Sequence, residues 1–175
     1  MRITRHAISM TFGALLAGGL AAGAASAAEP DVAAPAGAML VREVQAGGAQ
    51  VYACRQAADG SYGWSLVGPN AVLVNADGTT FGTHTAGPTW TASDGSSVVA
   101  DGAHPVNVVR RPNAVPALLL SVASSNGNGV LTGVRFIRRS DTEGGVAPAT
   151  GCDAGAARAN ARAAVHYSAI YSFYR

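Results

Sequence analysis

The chain has 175 residues, with 12 basic side chains that are all arginine, 10 acidic ones and no lysine. Arg2 and Arg5 lie before the first acid, Glu29, so the rest of the chain carries no net charge. That balance excludes the basic footprint of a nucleic-acid binder. The missing lysine excludes Schiff-base, pyridoxal-phosphate and Walker-lysine chemistry.

Residues 1–27 read as a cleavable secretory signal peptide. Arg2 and Arg5 form a charged start, the run from Ile8 through Leu20 to Ala25 is small and apolar, and Ala25-Ser26-Ala27 is a small-residue cleavage site. Gly13, Gly18, Gly19 and Gly23 interrupt the run, whereas a spanning helix needs about 20 consecutive apolar residues. The mature chain is therefore expected to be periplasmic or secreted, without stable membrane insertion. Residues 28–38, rich in Ala and Pro, read as a flexible leader. Residues 39–175 read as a single β-rich domain.

In that domain the first expected element is a hairpin, Met39–Gln45 and Gln50–Arg55 around Gly47-Gly48. Short β-prone runs follow: Trp64–Val67, Ala71–Asn75, Thr79–Thr85, Thr89–Ala92 and Ser97–Ala100. Gly68-Pro69-Asn70, Asp77-Gly78, Gly87-Pro88, Asp94-Gly95 and Asp101-Gly102 punctuate them. Leu118–Ala123 and Val130–Arg139 flank the turn-forming 124–129, the clearest hairpin signal. Residues Ala154–Ala164, with Asp153 as cap, are the one helical stretch. Val165–Arg175 alternates, with Val165, Tyr167, Ala169, Tyr171 and Phe173 on one face and His166, Ser168 and Ser172 on the other. It reads as the strand that closes the sheet. Turn signals every 8–12 residues indicate an all-β antiparallel sandwich or barrel, with at most one short helix near the C-terminus.

Cys54 and Cys152 are the two cysteines. An even pair in an exported chain reads as a disulfide, and neither has the close Cys or His of a metal site. His84, His104 and His166 show no ligand spacing, so no metal or other cofactor is expected. Gly127-Asn128-Gly129 with Gly133 imitates a dinucleotide fingerprint, but its spacing is wrong and a β-branched run follows where a helix must start. No Gly-x-Ser-x-Gly elbow is present. Arg110, Arg111, Arg135, Arg138 and Arg139 suit solvated or ion-paired edges better than an anion site. The densest stretch is Gly82-Thr83-His84-Thr85-Ala86-Gly87-Pro88-Thr89-Trp90. It is expected to be a strand entering a Gly-Pro turn, with Trp90 buried and His84 near the surface. His84, Trp90, Trp64 and Asp94 are the candidate ligand-binding residues.

Val51-Tyr52-Ala53-Cys54, Trp64, the Gly82–Trp90 stretch, Asp94-Gly95-Ser96, Pro116-x-Leu-Leu-Leu120, Thr142-x-Gly-Gly-x-Ala-Pro148, Gly151-Cys152-Asp153 and Tyr167-Ser-Ala-x-Tyr171-x-Phe-Tyr174 occur in this order. In this the chain resembles an uncharacterised family, a domain of unknown function found in small exported bacterial and fungal proteins. The resemblance spans about residues 51–174 and implies no activity. Members often carry an aromatic residue where this chain has Thr85 and Ala117. The functional expectation is an exported binding or structural module, with an unidentified small molecule or glycan as partner. The alternative is a hydrolase or other enzyme centred on His84 and Trp90. A small outer-membrane barrel is a third, weaker reading.

Overall fold

The computed structural model describes residues 32–175. The segment read as a signal peptide and the start of the expected leader lie outside the described residues. Nine strands make one antiparallel sheet: β1 (Leu40–Gln56), β2 (Tyr62–Val74), β3 (Thr80–Thr85), β4 (Thr89–Ala92), β5 (Ser97–Ala100), β6 (Asn107–Arg111), β7 (Ala114–Asn126), β8 (Phe136–Gly144) and β9 (Arg162–Tyr174). Helix α1 (Ala154–Arg158) precedes β9. The strand order is β5-β4-β3-β2-β1-β9-β8-β7-β6, and β5 also pairs with β7, from Ser97↔Asn126 to Ala100↔Val122. That pairing closes the sheet into a barrel. β6 takes the other half of the same β7 edge, pairing with Ala114–Leu119. β9, expected to close the sheet, instead runs through its middle between β1 and β8.

Alternation sets the interior. Val44, Ala46, Leu73, Trp90, Val98, Ile137, Tyr167, Tyr171 and Phe173 project inward and form the main core. Tyr167, Ala169, Tyr171 and Phe173 share the buried face of β9 as expected. On the outer face Ser172 lies between Glu43 and Arg138, on β1 and β8. Its hydroxyl donates to Glu43 Oε2 at 2.7 Å. A second small cluster, also outside, buries Val32 against Ala117 and Leu119. The segment expected to be a flexible leader is thus seated at Val32, which is 1% exposed.

The barrel's two ends differ. At one end the β7–β8 connection folds inward, burying Leu131 and Val134 in the main core. Asp94 Oδ2 accepts the Val130 amide at 2.7 Å and Ser96 Oγ accepts that of Leu131 at 3.2 Å. These bonds pin the plug to the β4–β5 turn. The opposite end carries the β1–β2 hairpin, the β3–β4 turn and the β5–β6 loop, and it is open.

Four sequence expectations are corrected here. Gly47-Gly48 is not a turn: β1 runs straight through it, flanked by β2 and β9. A Cβ at Gly48 would strike Asn70 O and Ala71, so this glycine permits close strand approach. Gly68-Pro69-Asn70 is likewise inside a strand. Val51 pairs with Gly68 and Tyr52 with Leu66, which makes Val67 the extra residue of a β-bulge. The 118–139 hairpin exists, but residues 130–135 form the plug instead of a strand. The helix is also shorter than expected. Asp153 caps it, accepting from Ala156 N at 2.8 Å, and Asn160 ends it with φ of 52°. Cys54 and Cys152 form the expected disulfide.

The two glycines provide a matched test of the continuous strand. Gly47→Ala meets open space and should be neutral or gain a few tenths of a kcal/mol, up to ~1. Gly48→Ala should cost about 1–3 kcal/mol through overpacking. Urea unfolding of both variants measures this, and equal effects would refute the β1–β2 register.

Candidate functional site

The open end leads into a cavity of about 880 Å³. The β2 bulge, the Gly87-Pro88 turn, the 101–103 loop, Val108 and Leu118 form its walls. Its floor is the aromatic centre of the barrel.

The floor is built on a cross-strand pair. β3 and β4 place His84 opposite Trp90, and their rings stack with centroids 4.1 Å apart and planes 10° from parallel. Tyr171 of β9 meets both rings edge-on, at 4.9 and 5.3 Å. Trp90 is 1% exposed, as expected. His84 is 2% exposed, which overturns its expected surface position. The alternation of β3 decides this: His84 shares the inward face with Gly82, while Thr83 and Thr85 face outward.

His84 Nδ1 lies 2.9 Å from the Thr89 carbonyl. A carbonyl only accepts, so Nδ1 carries the proton and Nε2 the lone pair. Burial lowers the His84 pKa to about 3, the Thr89 bond opposes the shift, and the Arg139 charge adds to it. The ring is therefore neutral over the physiological range and is poorly suited to act as a general base near pH 7.

Around this stack lie polar groups without a protein partner. Gln50 Nε2, Trp90 Nε1 and Tyr171 Oη are buried and unbonded among the described residues, as is Tyr167 Oη. Burial, then the neighbouring Tyr171, raises the Tyr167 pKa, yet neither hydroxyl completes a hydrogen bond of acceptable geometry. A buried donor left unpaired costs about 1–3 kcal/mol. Tyr52 differs, its hydroxyl donating to Gly145 O at 2.6 Å. Burial raises its pKa and the Arg139 charge partly offsets this. Gly145, with φ of 77°, approaches Gln50 closely: a Cβ there would lie 3.0 Å from Gln50 Cγ. Arg139 extends from β8 into the same lining, with Nε donating to the Pro116 carbonyl at 3.0 Å.

Of the four candidate residues, the structure brings His84 and Trp90 together and places the other two elsewhere. Trp64 sits by the disulfide, opposite Cys54 on β2, donating Nε1–H to Thr150 O at 2.9 Å. Asp94 holds the plug at the closed end; hydrogen bonds from Ser96, Val130 and the Ser96 amide lower its pKa. Gln50, Tyr171 and Arg139 escaped the sequence reading as site residues. Gln50 had a signal: on the strand that includes Tyr52 it shares the inward face. Among the described residues no group of three or more His, Cys, Asp and Glu side chains is arranged to hold a metal. No described helix is long and apolar enough to cross a membrane.

A family model described as a protein of unknown function (DUF3455) matches residues 35–175. The chain belongs to this family. No curated protein and no solved structure matches the chain. Of the positions noted for departing from the family's aromatic residues, Thr85 is exposed and Ala117 is buried in the outer cluster. Neither lines the cavity.

A neutral buried imidazole makes stability fall on acidification. Between pH 6.5 and about 3 the unfolded chain binds a proton at His84 that the folded chain does not, so stability rises with pH across this window. The full shift corresponds to roughly 4–5 kcal/mol. His84→Phe keeps a ring on Trp90 and has nothing to titrate. Urea midpoints from pH 7 to about 3.5 should show wild type losing several kcal/mol more than the variant. Parallel curves would contradict the assignment.

Proposed function

We propose that this chain is an exported binding module whose barrel mouth captures a small organic molecule. The observation that carries the reading is the floor of the cavity. Gln50, Trp90 and Tyr171 line the cavity, and each carries a buried polar group, Nε2, Nε1 and Oη, without a protein partner among the described residues. Polar groups buried in a packed structure are otherwise bonded, and an apolar cavity with a few convergent polar groups is the usual form of a small-molecule site. The 880 Å³ volume suits a molecule of drug-like size.

Export rests on the N-terminal pattern of charged start, apolar run and Ala-Ser-Ala end. The Cys54–Cys152 bond fits an oxidising compartment such as the periplasm or the exterior. A polar outer surface is favoured by the Glu43–Ser172–Arg138 row across the middle of the sheet and by exposed His166. A lipid-facing barrel presents an apolar band there.

N-phenyl-1-naphthylamine, a neutral fluorophore, should brighten on binding the mature chain. Leu118→Trp fills the mouth from the β7 wall and should abolish the enhancement while leaving the melting temperature within a few degrees. An unchanged enhancement in that variant would move the site elsewhere. Expressed with its native N-terminus in a bacterial host, the exported protein should begin at Ala28 and take up no alkylating reagent until reduced. Two free thiols, or an intact N-terminus, would contradict export into an oxidising compartment.

A further inference from the structure

We propose that the ligand is a small organic carboxylate, its anionic end on Arg139 and its apolar body between the Leu66–Val67 and Leu118 walls; this rests on the binding-module reading and specifies its ligand class.

The charge of the lining is the first ground. Arg139 and Arg110 line the cavity against a single carboxylate, Asp101. Asp101 is already occupied: its oxygens accept from Ala103 N and His104 N, each at 3.1 Å, and pair with His104 Nδ1 at 3.0 Å. No carboxylate among the described residues pairs with Arg139. Arg139 is half-buried, and its charge depresses the pKa of His84 and opposes the rise at Tyr52 and Tyr167. Its field therefore fills the floor of the cavity, beside the unpartnered donors.

The chemistry of those partners is the second ground. Gln50 Nε2 and Trp90 Nε1 are donors, and the Tyr171 hydroxyl can donate. A cluster of donors around an unpaired cation matches an acceptor-only anion. Arg139 is anchored through Nε on the Pro116 carbonyl, which leaves the terminal edge of the fork to meet two coplanar oxygens. One interior arginine suits a monoanion. The walls are apolar, with Leu66, Val67, Val108, Leu118 and Ile137 in the lining, so the rest of the molecule is hydrocarbon or aromatic.

Isothermal titration of the mature protein with 2-naphthoate, methyl 2-naphthoate and 2-naphthyl phosphate tests the assignment. The acid should bind at least tenfold more tightly than its ester or the phosphate. Arg139→Gln should erase the preference by weakening the acid and leaving the ester unchanged, with circular dichroism reporting an intact fold. Arg139→Lys, which keeps the charge and loses the fork, should fall between them. The wild-type acid-to-ester ratio stands even if a variant fails to fold. An ester that binds as well as the acid overturns the carboxylate assignment, as does a preference that survives in Arg139→Gln. Tighter binding of the phosphate overturns it in favour of phosphate monoesters. Failure of the acid while the neutral naphthylamine still binds sinks this inference alone; failure of both sinks the binding module as well.

Discussion

Four residues of β5 hydrogen-bonded to the far half of β7 turn an open sheet into a closed one. An open nine-stranded sheet would have two unpaired edges and would need a second layer to cover its apolar face. Closure lets that face cover itself. Trp90, Tyr167, Tyr171 and Phe173, drawn from strands far apart in sequence, then meet in one interior. Closure also creates two ends, and the chain treats them differently. The β7–β8 connection folds into one end and is stapled there by Asp94 and Ser96. The other end carries the β1–β2 and β3–β4 turns, the β5–β6 loop and the 145–161 connection, and the interior is reachable there through the cavity. With β6 occupying the near half of the β7 edge, β5 can pair only where it does, and this adds the Asp101–Ala103 loop to the mouth.

The elements legible in the sequence were those governed by local alternation. β9 shows its two faces directly, because every second residue from Tyr167 to Phe173 is large or apolar. β3, β4 and β5 lie between Asp-Gly and Gly-Pro turns that do turn. Glycine was misleading wherever its role was steric. Gly48 and Gly68 sit within strands, one to admit a neighbouring backbone and one to form a bulge. Sequence shows that the side chain is absent and does not show what occupies the space. β6 was missed because it is short, ends in Arg110-Arg111, and gains its place only from the β7 edge.

The site was legible in half. His84 and Trp90 stand out by composition, and the six-residue separation across a tight hairpin makes them direct neighbours. Burial of His84 follows from the parity of β3, which depends on which face of that strand is inside. That choice is made by closure and not by the segment itself. Asp94 and Trp64 carry suitable chemistry but lie away from this cavity. One caps the plug and the other ties the 145–161 segment to β2 next to the disulfide. Arg139 was grouped with four other arginines as surface charge. Its neighbours Ile137 and Ser140 are buried, and only the β7–β8 and β8–β9 registers reveal that it shares the inward face with Ile137.

The floor of the cavity departs from the economy of the rest of the core. A phenylalanine at 171 or a leucine at 50 would fill similar volume without stranding a donor, and burying an unmatched polar group is destabilising. The surrounding structure holds these groups in place. Gln50 lies close beside Gly145, Trp90 stacks on His84, and Tyr171 meets both rings edge-on. All three sit on central strands, where backbone pairing on both sides limits movement. Donors fixed in this way lose little conformational freedom when a partner arrives, so a bound acceptor regains most of what folding left unsatisfied. The neutrality of His84 fits the same logic. A second cation beside Arg139 would repel it in a medium that screens poorly, and burial removes that cation by keeping the imidazole unprotonated. Arg139 is then the one interior positive charge in the lining of a largely apolar cavity, with Arg110 exposed at its edge.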